Sequence, residues 1–266
     1  MAVKSSVAST ESGSGDCDVD TGPAASADDF SGQPHRVHDA RWFEHNSARR
    51  AHLVEAAVAL LDEQPVGRDV SVEEIANRAG FARSVFYRQF DSRDAFDCRV
   101  RAVILDQCFE MYATNLDFST GSIDEIVTRT AGALLAWRID HPAWYAFLGT
   151  GPTDYDNPDL DAVQSLSRRF ETPIDVLLSE IAQLVGVDYE PLRTLPCAVV
   201  TMVDGTFTRW LSDPSPVRGR DQLVRDVADY AWYLLDGAAQ RSGLCADRHQ
   251  TVDELIAEVS GSASRQ

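Results

Sequence analysis

Two short helical segments separated by a glycine constrain the fold of this sequence more than any other feature. The first begins at Ser71-Val72-Glu73-Glu74, where a serine at the N-cap and a glutamate three residues later form a capping box. Gly80 lies where a helix C-terminus favours a left-handed residue, and residues 82–90 (ARSVFYRQF) fit a second helix of two turns. Neither segment has enough apolar residues to bury itself, so both must pack against a neighbouring helix.

Helical patterning flanks this pair on both sides. The preceding segment has apolar residues at the i, i+4, i+7 and i+8 spacing of one buried face: Leu53, Ala57, Leu60 and Leu61. We expect Asn46 or Ser47 to cap this helix and Pro65 and Gly67 to end it. A longer helix is predicted after the pair, from about residue 91 to about residue 116.

The rest of the chain is also patterned as helices. Helix-breaking residues divide it into five or six of them, at Gly121, His141-Pro142, Gly151-Pro152, Asn157-Pro158, Gly186, Asp213-Pro214 and Gly243. The β-branched run at 198–203 (AVVTMV) lies inside a helical pattern and is assigned to a helix. Thr172-Pro173 predicts a further break, and Pro196 either begins a helix or kinks one. The sequence therefore predicts an all-α fold.

The formal net charge of the 266-residue chain is −18, from 42 acidic and 24 basic residues. This balance argues against a wholly basic nucleic-acid coat and a polybasic membrane binder, but not against a local nucleic-acid-reading face. Residues 1–40 have a net charge of −5 and residues 102–266 one of −13, whereas residues 41–101 hold ten arginines and ten acids. The acidity therefore lies outside the segment with the glycine-separated pair.

Several classes of protein have no support in the sequence. The five cysteines are widely spaced, without C-x-x-C or zinc spacing, and are expected to be mostly buried, inert thiols in a reducing cytoplasm. No apolar run reaches the roughly 20 residues that span a membrane, and the N-terminus has no secretory pattern. GxSxG, P-loop, GxGxxG and HExxH motifs are absent. We therefore expect no enzyme activity, no metal and no cofactor.

The second helix of the pair offers polar side chains on its outward positions, namely Arg83, Ser84, Tyr87 and Arg88. An α-helix fits the major groove of DNA, where arginine pairs with guanine through two hydrogen bonds. The stretch SVEEIANRAGFARSVFYRQFDSRDAFDCRV resembles the DNA-binding domain of the TetR family of transcriptional regulators. The matching positions are Ser71, Ile75-Ala76, Ala79-Gly80, Tyr87, Phe90 and Arg93. The sequence departs from the family pattern at Ala82, Ser84-Val85 and Gln89, and Arg93 is an arginine where the family usually has a lysine.

The resemblance implies an N-terminal three-helix helix-turn-helix DNA-binding domain and a larger C-terminal helical domain for ligand binding and dimerisation. We divide the chain into a disordered acidic tail (1–45), the DNA-binding domain (46–101), the ligand-binding and dimerisation domain (102–245) and a C-terminal tail (246–266). In the last part, the capping box from Thr251 to Glu254 favours a short helix.

The residues expected to contact DNA are Arg49, Arg50, Ser71, Arg83, Ser84, Val85, Tyr87, Arg88, Gln89 and Arg93. Arg83, Ser84 and Val85 are predicted to meet base edges, with Val85 against a thymine methyl. Phosphates are assigned to Tyr87, Gln89, Arg93 and Ser71, and the backbone or minor groove to Arg41, Arg49 and Arg50. For the last three, solvated surface charge is the alternative; for Tyr87 the alternative is a position in the core.

The resemblance also implies a homodimer that binds a palindromic operator on double-stranded DNA as a repressor and is released by a small hydrophobic or aromatic effector. The predicted dimer contacts are Val203, Phe207, Trp210, Val224, Ala228, Ala231, Trp232 and Leu235. The predicted ligand-binding residues are Phe109, Tyr112, Trp137, Trp144, Phe147, Phe170 and Met202, with Arg138, His141 and Arg209 as polar anchors. For the aromatics, ordinary core packing is the alternative. The competing function is an all-helical small-molecule carrier or interaction protein without functional DNA binding.

Overall fold

A computed structural model of the chain describes residues 34–153, 162–243 and 245–263, with most side chains from residue 46 onward. The chain divides into two compact units, Met1–Phe43 and Glu44–Gln266. Of the first unit only the helical backbone from Pro34 is described, so most of the predicted acidic tail lies outside the described residues. The fold described below is that of the second unit.

The described residues form ten α-helices and one 3-10 helix (Glu190–Leu192), and no strand occurs among them. The α-helices are α1 (Pro34–Glu63), α2 (Val72–Arg78), α3 (Arg83–Gln89), α4 (Arg93–Asn115), α5 (Ile123–Asp140), α6 (Pro142–Leu148), α7 (Ala162–Val185), α8 (Leu195–Leu211), α9 (Arg220–Arg241) and α10 (Val252–Ala263). The predicted all-α class is confirmed. None of the helices in the described ranges is long and apolar enough to cross a membrane.

Two of the predicted helix ends are wrong. Helix α1 runs through Asn46 and Ser47, so neither residue caps it, and the Asn46 side chain instead accepts a hydrogen bond from Gln89. Helix α7 continues through Pro173 without the predicted break. The Thr172 hydroxyl donates to the Arg168 carbonyl at 2.9 Å, so it bonds back along the helix instead of capping a new one.

The last two long helices begin later than predicted. The helix expected from Pro191 starts at Leu195, because the preceding residues form the 3-10 helix and Pro196 takes a position in the first turn of α8. The helix expected from Pro216 starts at Arg220, where Gly219 adopts the extended N-cap conformation. The sequence from 198 to 203 is helical, as predicted.

One hydrophobic core connects the glycine-separated pair to the rest of the unit. Phe86 from α3 and Ile75 from α2 are fully buried in the same cluster as Leu53 of α1 and Phe96 of α4. At the other end of α4, Tyr112 belongs to this cluster and packs on Phe170 with ring centroids 4.3 Å apart. Helix α4 is therefore continuous across the predicted domain boundary at residues 101 and 102, and that functional division stays a prediction.

A second cluster holds the C-terminal helices together. Phe207 of α8 packs against Leu135 of α5 and Val227 of α9, and all three side chains are almost completely buried. The chain after α9 then crosses the start of α5, where the Ile123 and Asp124 amides donate to the Gln250 and Arg248 carbonyls. The predicted capping box begins α10, with the Thr251 amide donating to Glu254 Oε2 at 2.8 Å.

The two N-caps of the glycine-separated pair form a matched test of helix capping. Ser71 and Ala82 have nearly the same extended backbone (φ −73°, ψ 154° and φ −71°, ψ 146°), but only the serine accepts a side-chain hydrogen bond. We expect Ser71→Ala to lower the free energy of unfolding by about 1 kcal/mol and Ala82→Ser to raise it by a similar amount. Urea denaturation monitored by circular dichroism checks both. Equal stability of Ser71→Ala and the wild type would contradict this interpretation.

Candidate nucleic-acid interface and internal cavities

A capping box and a left-handed glycine position the two helices of the pair. The Glu74 side chain accepts from the Ser71 amide at 2.8 Å, and these hydrogen bonds lower the pKa of Glu74 below its ordinary value. After α2, Gly80 has φ +73°, which a residue with a Cβ rarely adopts. The Phe81 amide then donates to the Ala76 carbonyl at 2.8 Å and closes the turn. The turn is therefore fixed by hydrogen bonds on both sides of the glycine.

Helix α3 is held by one face and presents the other. Phe86 is fully buried, and its ring centroid lies 4.8 Å from that of Phe96 and 5.5 Å from that of Phe90. The predicted core positions of Phe86 and Phe90 agree with this packing. The exposed residues of the helix are Arg83, Ser84, Tyr87 and Arg88, and Val85 beside them is partly exposed. The four polar side chains that the sequence placed outward therefore share one solvent-facing surface, which we term the α3 face.

Arg83 and Tyr87 contact each other one turn apart on the α3 face. Arg83 Nη2 lies 3.2 Å from the Tyr87 hydroxyl, and the guanidinium carbon is 5.7 Å from the centroid of the tyrosine ring. The hydrogen bond raises the pKa of Arg83 above its ordinary value, so the side chain stays charged. Tyr87 is 55% exposed, which excludes the alternative of a core aromatic.

Two predicted phosphate ligands form hydrogen bonds to other residues of the protein. Gln89 is only 7% exposed, and its Nε2 donates to Asn46 Oδ1 at 3.3 Å. Arg93 Nη1 donates to the Val70 carbonyl at 2.7 Å and its Nε to Asp97 at 2.8 Å. Burial raises the pKa of Asp97, and the charge of Arg93 opposes that shift. Gln89 therefore ties the end of α3 to α1, and Arg93, whose side chain is 31% exposed, ties the start of α4 to the residues before α2. Neither lies on the α3 face, and their phosphate contacts stay a prediction.

The other predicted contacts surround the α3 face. Ser71 is exposed, and its hydroxyl donates to Glu74 within the capping box at 2.8 Å. Arg50 is exposed with its guanidinium carbon 5.9 Å from the Phe90 ring centroid, and Arg49 is partly buried. The side chain of Arg41 lies outside the described part of the chain.

Ion pairs explain how a neutral segment still offers positive charge. Glu63 bonds Arg78 at 2.8 Å, which ties α1 to α2 and lowers the pKa of Glu63, and Arg68 bonds Glu74 at 2.9 Å. Within the described residues, no carboxylate lies within ion-pair distance of the exposed arginines of α3. Four acids of this segment, Glu63, Asp69, Glu74 and Asp97, therefore pair with structural arginines, whereas Arg83 and Arg88 form no ion pair among the described residues.

A helix-turn-helix with an exposed, arginine-bearing second helix defines a DNA-binding regulator of transcription. Residues 53–96 match the family model described as bacterial regulatory proteins, tetR family. This match and the similarities below support a transcriptional regulator of the TetR family.

Proteins similar over most of the chain are regulators too. Two uncharacterised HTH-type transcriptional regulators of Mycobacterium tuberculosis, from strains CDC 1551 and H37Rv, are each 22% identical over 210 residues, 76% of this chain and 84% of the relative. A tetR-family transcriptional regulator from Streptomyces coelicolor has a TM-score of 0.57 at 17% identity, covering 81% of this chain and 89% of its own. A putative transcriptional regulator from Pseudomonas aeruginosa PAO1 has a TM-score of 0.52 at 19% identity, covering 74% and 94%. The two structures share the fold.

Two neighbouring cavities lie among the C-terminal helices. The larger, of about 190 Å³, has an almost wholly apolar lining from α5, α7, α8, α9 and α10. The smaller, of about 70 Å³, is lined by α4 to α8 and includes the polar residues Arg138, Tyr145, Ser167 and Asp204. The sequence offered no direct signal for the larger cavity, because its aliphatic residues have the spacing of ordinary core positions.

Only two of the seven predicted ligand-binding residues, Trp137 and Phe170, line either cavity. The other five line neither of these two cavities and contact neighbouring residues, and the ligand-binding role of all seven stays a prediction. The Tyr112 hydroxyl donates to the Phe170 carbonyl at 2.8 Å, and Trp144 Nε1 donates to the Val58 carbonyl at 3.0 Å. The remaining three pack against their neighbours: Phe109 on Phe170, Phe147 beneath Arg101, and Met202 among Leu192 and Leu195.

The three predicted polar anchors have different surroundings. Arg138 is buried at the smaller cavity. His141 lies outside both cavities, with Nδ1 2.7 Å from Asp62 Oδ1 and its ring stacked on Trp144. Arg209 is exposed on α8. Of these three residues, Arg138 is the one that lines either of the two cavities.

The predicted dimer contacts are largely inside the chain. Phe207, Ala228 and Ala231 are at most 2% exposed in the single chain, so they offer little surface to a partner, and their role in a dimer stays a prediction. The other five are partly buried: Val203, Trp210, Val224, Trp232 and Leu235. The apolar side chains that α9 does expose are Tyr230, Tyr233 and Leu234. Sequence periodicity marks the apolar side of a helix but does not say whether the partner helix belongs to the same subunit.

The described cysteines fall into two groups, so the expectation of mostly buried thiols is half right. Cys98 and Cys108 are buried, whereas Cys197 and Cys245 are exposed. Cys108 lines the smaller cavity, and burial raises the pKa of its thiol to about 12.

We expect iodoacetamide at pH 8 to label Cys197 and Cys245 and to leave Cys98 and Cys108 unmodified. The thiolate is the reactive form, and a pKa of about 12 leaves Cys108 almost entirely protonated at pH 8. Peptide mass spectrometry after timed labelling checks this, with urea-unfolded protein as the control in which all four react. Equal labelling rates for Cys108 and Cys197 in the folded protein would overturn the described burial.

Proposed function

We propose that this regulator is a repressor that binds a palindromic operator as a homodimer and is released by a small apolar ligand. The observation that carries the DNA part is the α3 face, where Arg83 and Arg88 are exposed beside Ser84 and Tyr87 and have no carboxylate partner among the described residues. The proposed partner is chromosomal DNA, and we expect the protein to bind it in the cytoplasm.

The proposed contacts follow from the direction of each side chain. With α3 in the major groove, Arg83 and Ser84 reach base edges, and Val85 reaches a thymine methyl. Tyr87 and Arg88, at the edges of the α3 face, bind phosphates. The peripheral contacts to the sugar-phosphate backbone are assigned to Ser71, Arg49 and Arg50.

Arg83→Ala tests the reading of bases directly. Loss of a bidentate arginine–guanine contact is expected to cost about 1–3 kcal/mol and to relax the preference at one base position. Fluorescence anisotropy with duplexes selected from a random library by the wild-type protein measures the affinity, and a repeated selection measures the preference. Arg193→Ala is the matched control, because that arginine is exposed near α8, far along the chain from the α3 face.

Two results would count against the assignment. An unchanged affinity and base preference in Arg83→Ala would remove Arg83 from the interface. A flat dependence of wild-type DNA affinity on salt would remove the interface itself, because phosphate contacts release counterions and make log K fall steeply with log[salt].

The proposed dimer surface is the exposed side of α8 and α9. Helix α9 contributes Tyr230, Tyr233 and Leu234, of which Tyr233 is 62% exposed. Gly205 of α8 and Gly237 of α9 have open space where a side chain would begin, so a partner helix can approach the backbone of both. Two such helices from each subunit form a four-helix contact, and two linked DNA-reading heads match a palindromic operator.

We expect the double substitution Tyr230→Glu/Tyr233→Glu to convert the dimer into a monomer, because four carboxylates would face one another across a two-fold interface. Size-exclusion chromatography with light scattering measures the mass, and circular dichroism confirms that the helices persist. Val66→Glu is the control: this exposed apolar residue lies in the turn after α1. A variant that stays dimeric would place the interface elsewhere.

The proposed ligand response uses the contact between α6 and α1. Trp137 and Arg138 line the smaller cavity one turn before His141. His141 bonds Asp62 at the end of α1, and Trp144 bonds the Val58 carbonyl one turn earlier. A ligand that displaces the end of α5 therefore moves the helix that supports α2 and α3, which alters the spacing of the two DNA-reading heads.

An all-helical small-molecule carrier is the second candidate function. The larger cavity favours it, because this cavity is apolar and has room for a small molecule. The two functions differ in one measurement. A carrier binds apolar molecules but has no steep, salt-dependent affinity for DNA. The proposed repressor binds both, and each of the two ligands lowers the affinity of the protein for the other.

A further inference from the structure

The two C-terminal cavities share part of their walls. Leu134 of α5 and Val199 and Val203 of α8 line both of them. The larger cavity has an almost wholly apolar surface, whereas the smaller one combines aromatic rings with buried polar groups. A molecule that extends past these three side chains would therefore have an apolar part in one compartment and a polar part in the other.

Arg138 is the polar group that distinguishes the smaller compartment. Its side chain is only 7% exposed, and its two terminal nitrogens are engaged: Nη1 donates to Asp204 Oδ1 at 3.0 Å and Nη2 to the Thr208 hydroxyl at 2.7 Å. The guanidinium carbon lies 3.8 Å from the centroid of the Tyr145 ring. The third nitrogen, Nε, is buried, and its N–H has no acceptor among the described residues. A buried donor without an acceptor is costly, so this N–H is suited to a ligand oxygen.

The charges around Arg138 indicate which oxygen fits. Asp204 already neutralises the guanidinium and also accepts from the Tyr145 hydroxyl at 2.8 Å. A ligand carboxylate would lie next to the Asp204 carboxylate, whose side chain is 41% exposed, and the two like charges would repel each other. The other polar groups do not compensate, because the Ser167 hydroxyl donates to the Val163 carbonyl and the Cys108 thiol stays uncharged. A neutral acceptor meets the unpaired N–H without this repulsion.

We propose that the two cavities form one site for a neutral, elongated apolar molecule with an acceptor oxygen near one end, such as a ketone, an ester or an alcohol. The oxygen accepts from Arg138 Nε, and the hydrocarbon chain passes Leu134 and Val203 into the larger compartment. This inference names the ligand class of the ligand-responsive regulator proposed above and rests on that function only for its biological role.

The test compares three probes of seven carbons on the full-length protein: 2-heptanone, n-heptane and heptanoate. Headspace depletion measures binding of the two volatile probes, and equilibrium dialysis measures heptanoate. We expect the wild type to bind 2-heptanone more tightly than heptanoate. In Arg138→Met the affinity for 2-heptanone is expected to fall roughly 10- to 100-fold, as for loss of a hydrogen bond to a charged donor, while that for n-heptane changes less than threefold.

Two further variants keep the test decisive. Arg169→Met is the matched control, because Arg169 also has an ion pair, to Asp106, and a ring contact, to Phe109, yet lines neither cavity. Arg138→Lys retains the positive charge beside Asp204 but lacks the Nε donor, and it serves if the methionine variant does not fold. The same selective loss for 2-heptanone is expected in Arg138→Lys, and none in Arg169→Met.

A longer ketone tests whether the compartments are continuous. From 2-heptanone to 2-undecanone the affinity is expected to rise about fourfold per methylene, as hydrocarbon enters the larger compartment. Val203→Phe narrows the shared wall and is expected to abolish this gain from the added methylenes. If the affinity still rises with chain length in Val203→Phe, the two cavities do not form one continuous site.

The proposal is overturned if heptanoate binds more tightly than 2-heptanone, if Arg138→Met loses ketone and alkane equally, or if no probe saturates the wild type. DNA affinity measured in parallel separates this inference from the proposed function. Ketone binding that depends on Arg138 but leaves DNA affinity unchanged would support the site and remove the ligand response. If the ketone still changes DNA affinity in Arg138→Met, the ligand response is supported and Arg138 is removed from the site.

Discussion

The burial of Phe86 is the constraint on which the DNA-binding end of the molecule depends. Helix α3 has seven residues and cannot form alone, so its stability comes from the contacts of one aromatic face with α1 and α4. The same burial determines which side chains remain outside. With Phe86 inward, Arg83, Ser84 and Tyr87 face solvent. The packing that stabilises α3 therefore also determines which of its side chains face solvent.

Arginine has three different roles in this protein, and the net charge describes none of them. Arg78 and Arg93 bind carboxylates and carbonyls that hold α1, α2 and α4 together. Arg83 is left uncompensated on the surface, where it suits an anionic partner. Arg138 is buried with one donor free at a cavity. A chain with a net charge of −18 thus offers positive charge where the geometry leaves an arginine without an acid.

The two proposed sites are joined by a short mechanical path. Arg138 lies on the last turn of α5, and His141 and Trp144 connect the following turn to Asp62 and Val58 of α1. The Trp144 bond ends on a backbone carbonyl, whereas the His141 bond ends on the Asp62 side chain. These contacts lie next to the smaller cavity, and this is why ligand binding and DNA binding are proposed to be coupled.

The sequence by itself determined the local structure. Capping boxes, glycines and the helical period predicted the all-α class, the turn at Gly80 and the outward positions of α3, because those depend on residues a few positions apart. Tertiary structure decided what depends on distant segments. The burial of Gln89 requires Asn46, the cavities arise where helices far apart in sequence fail to fill space, and the inward position of Phe207 is set by α5 and α9. Periodicity identifies an apolar side but carries no information about which helix covers it.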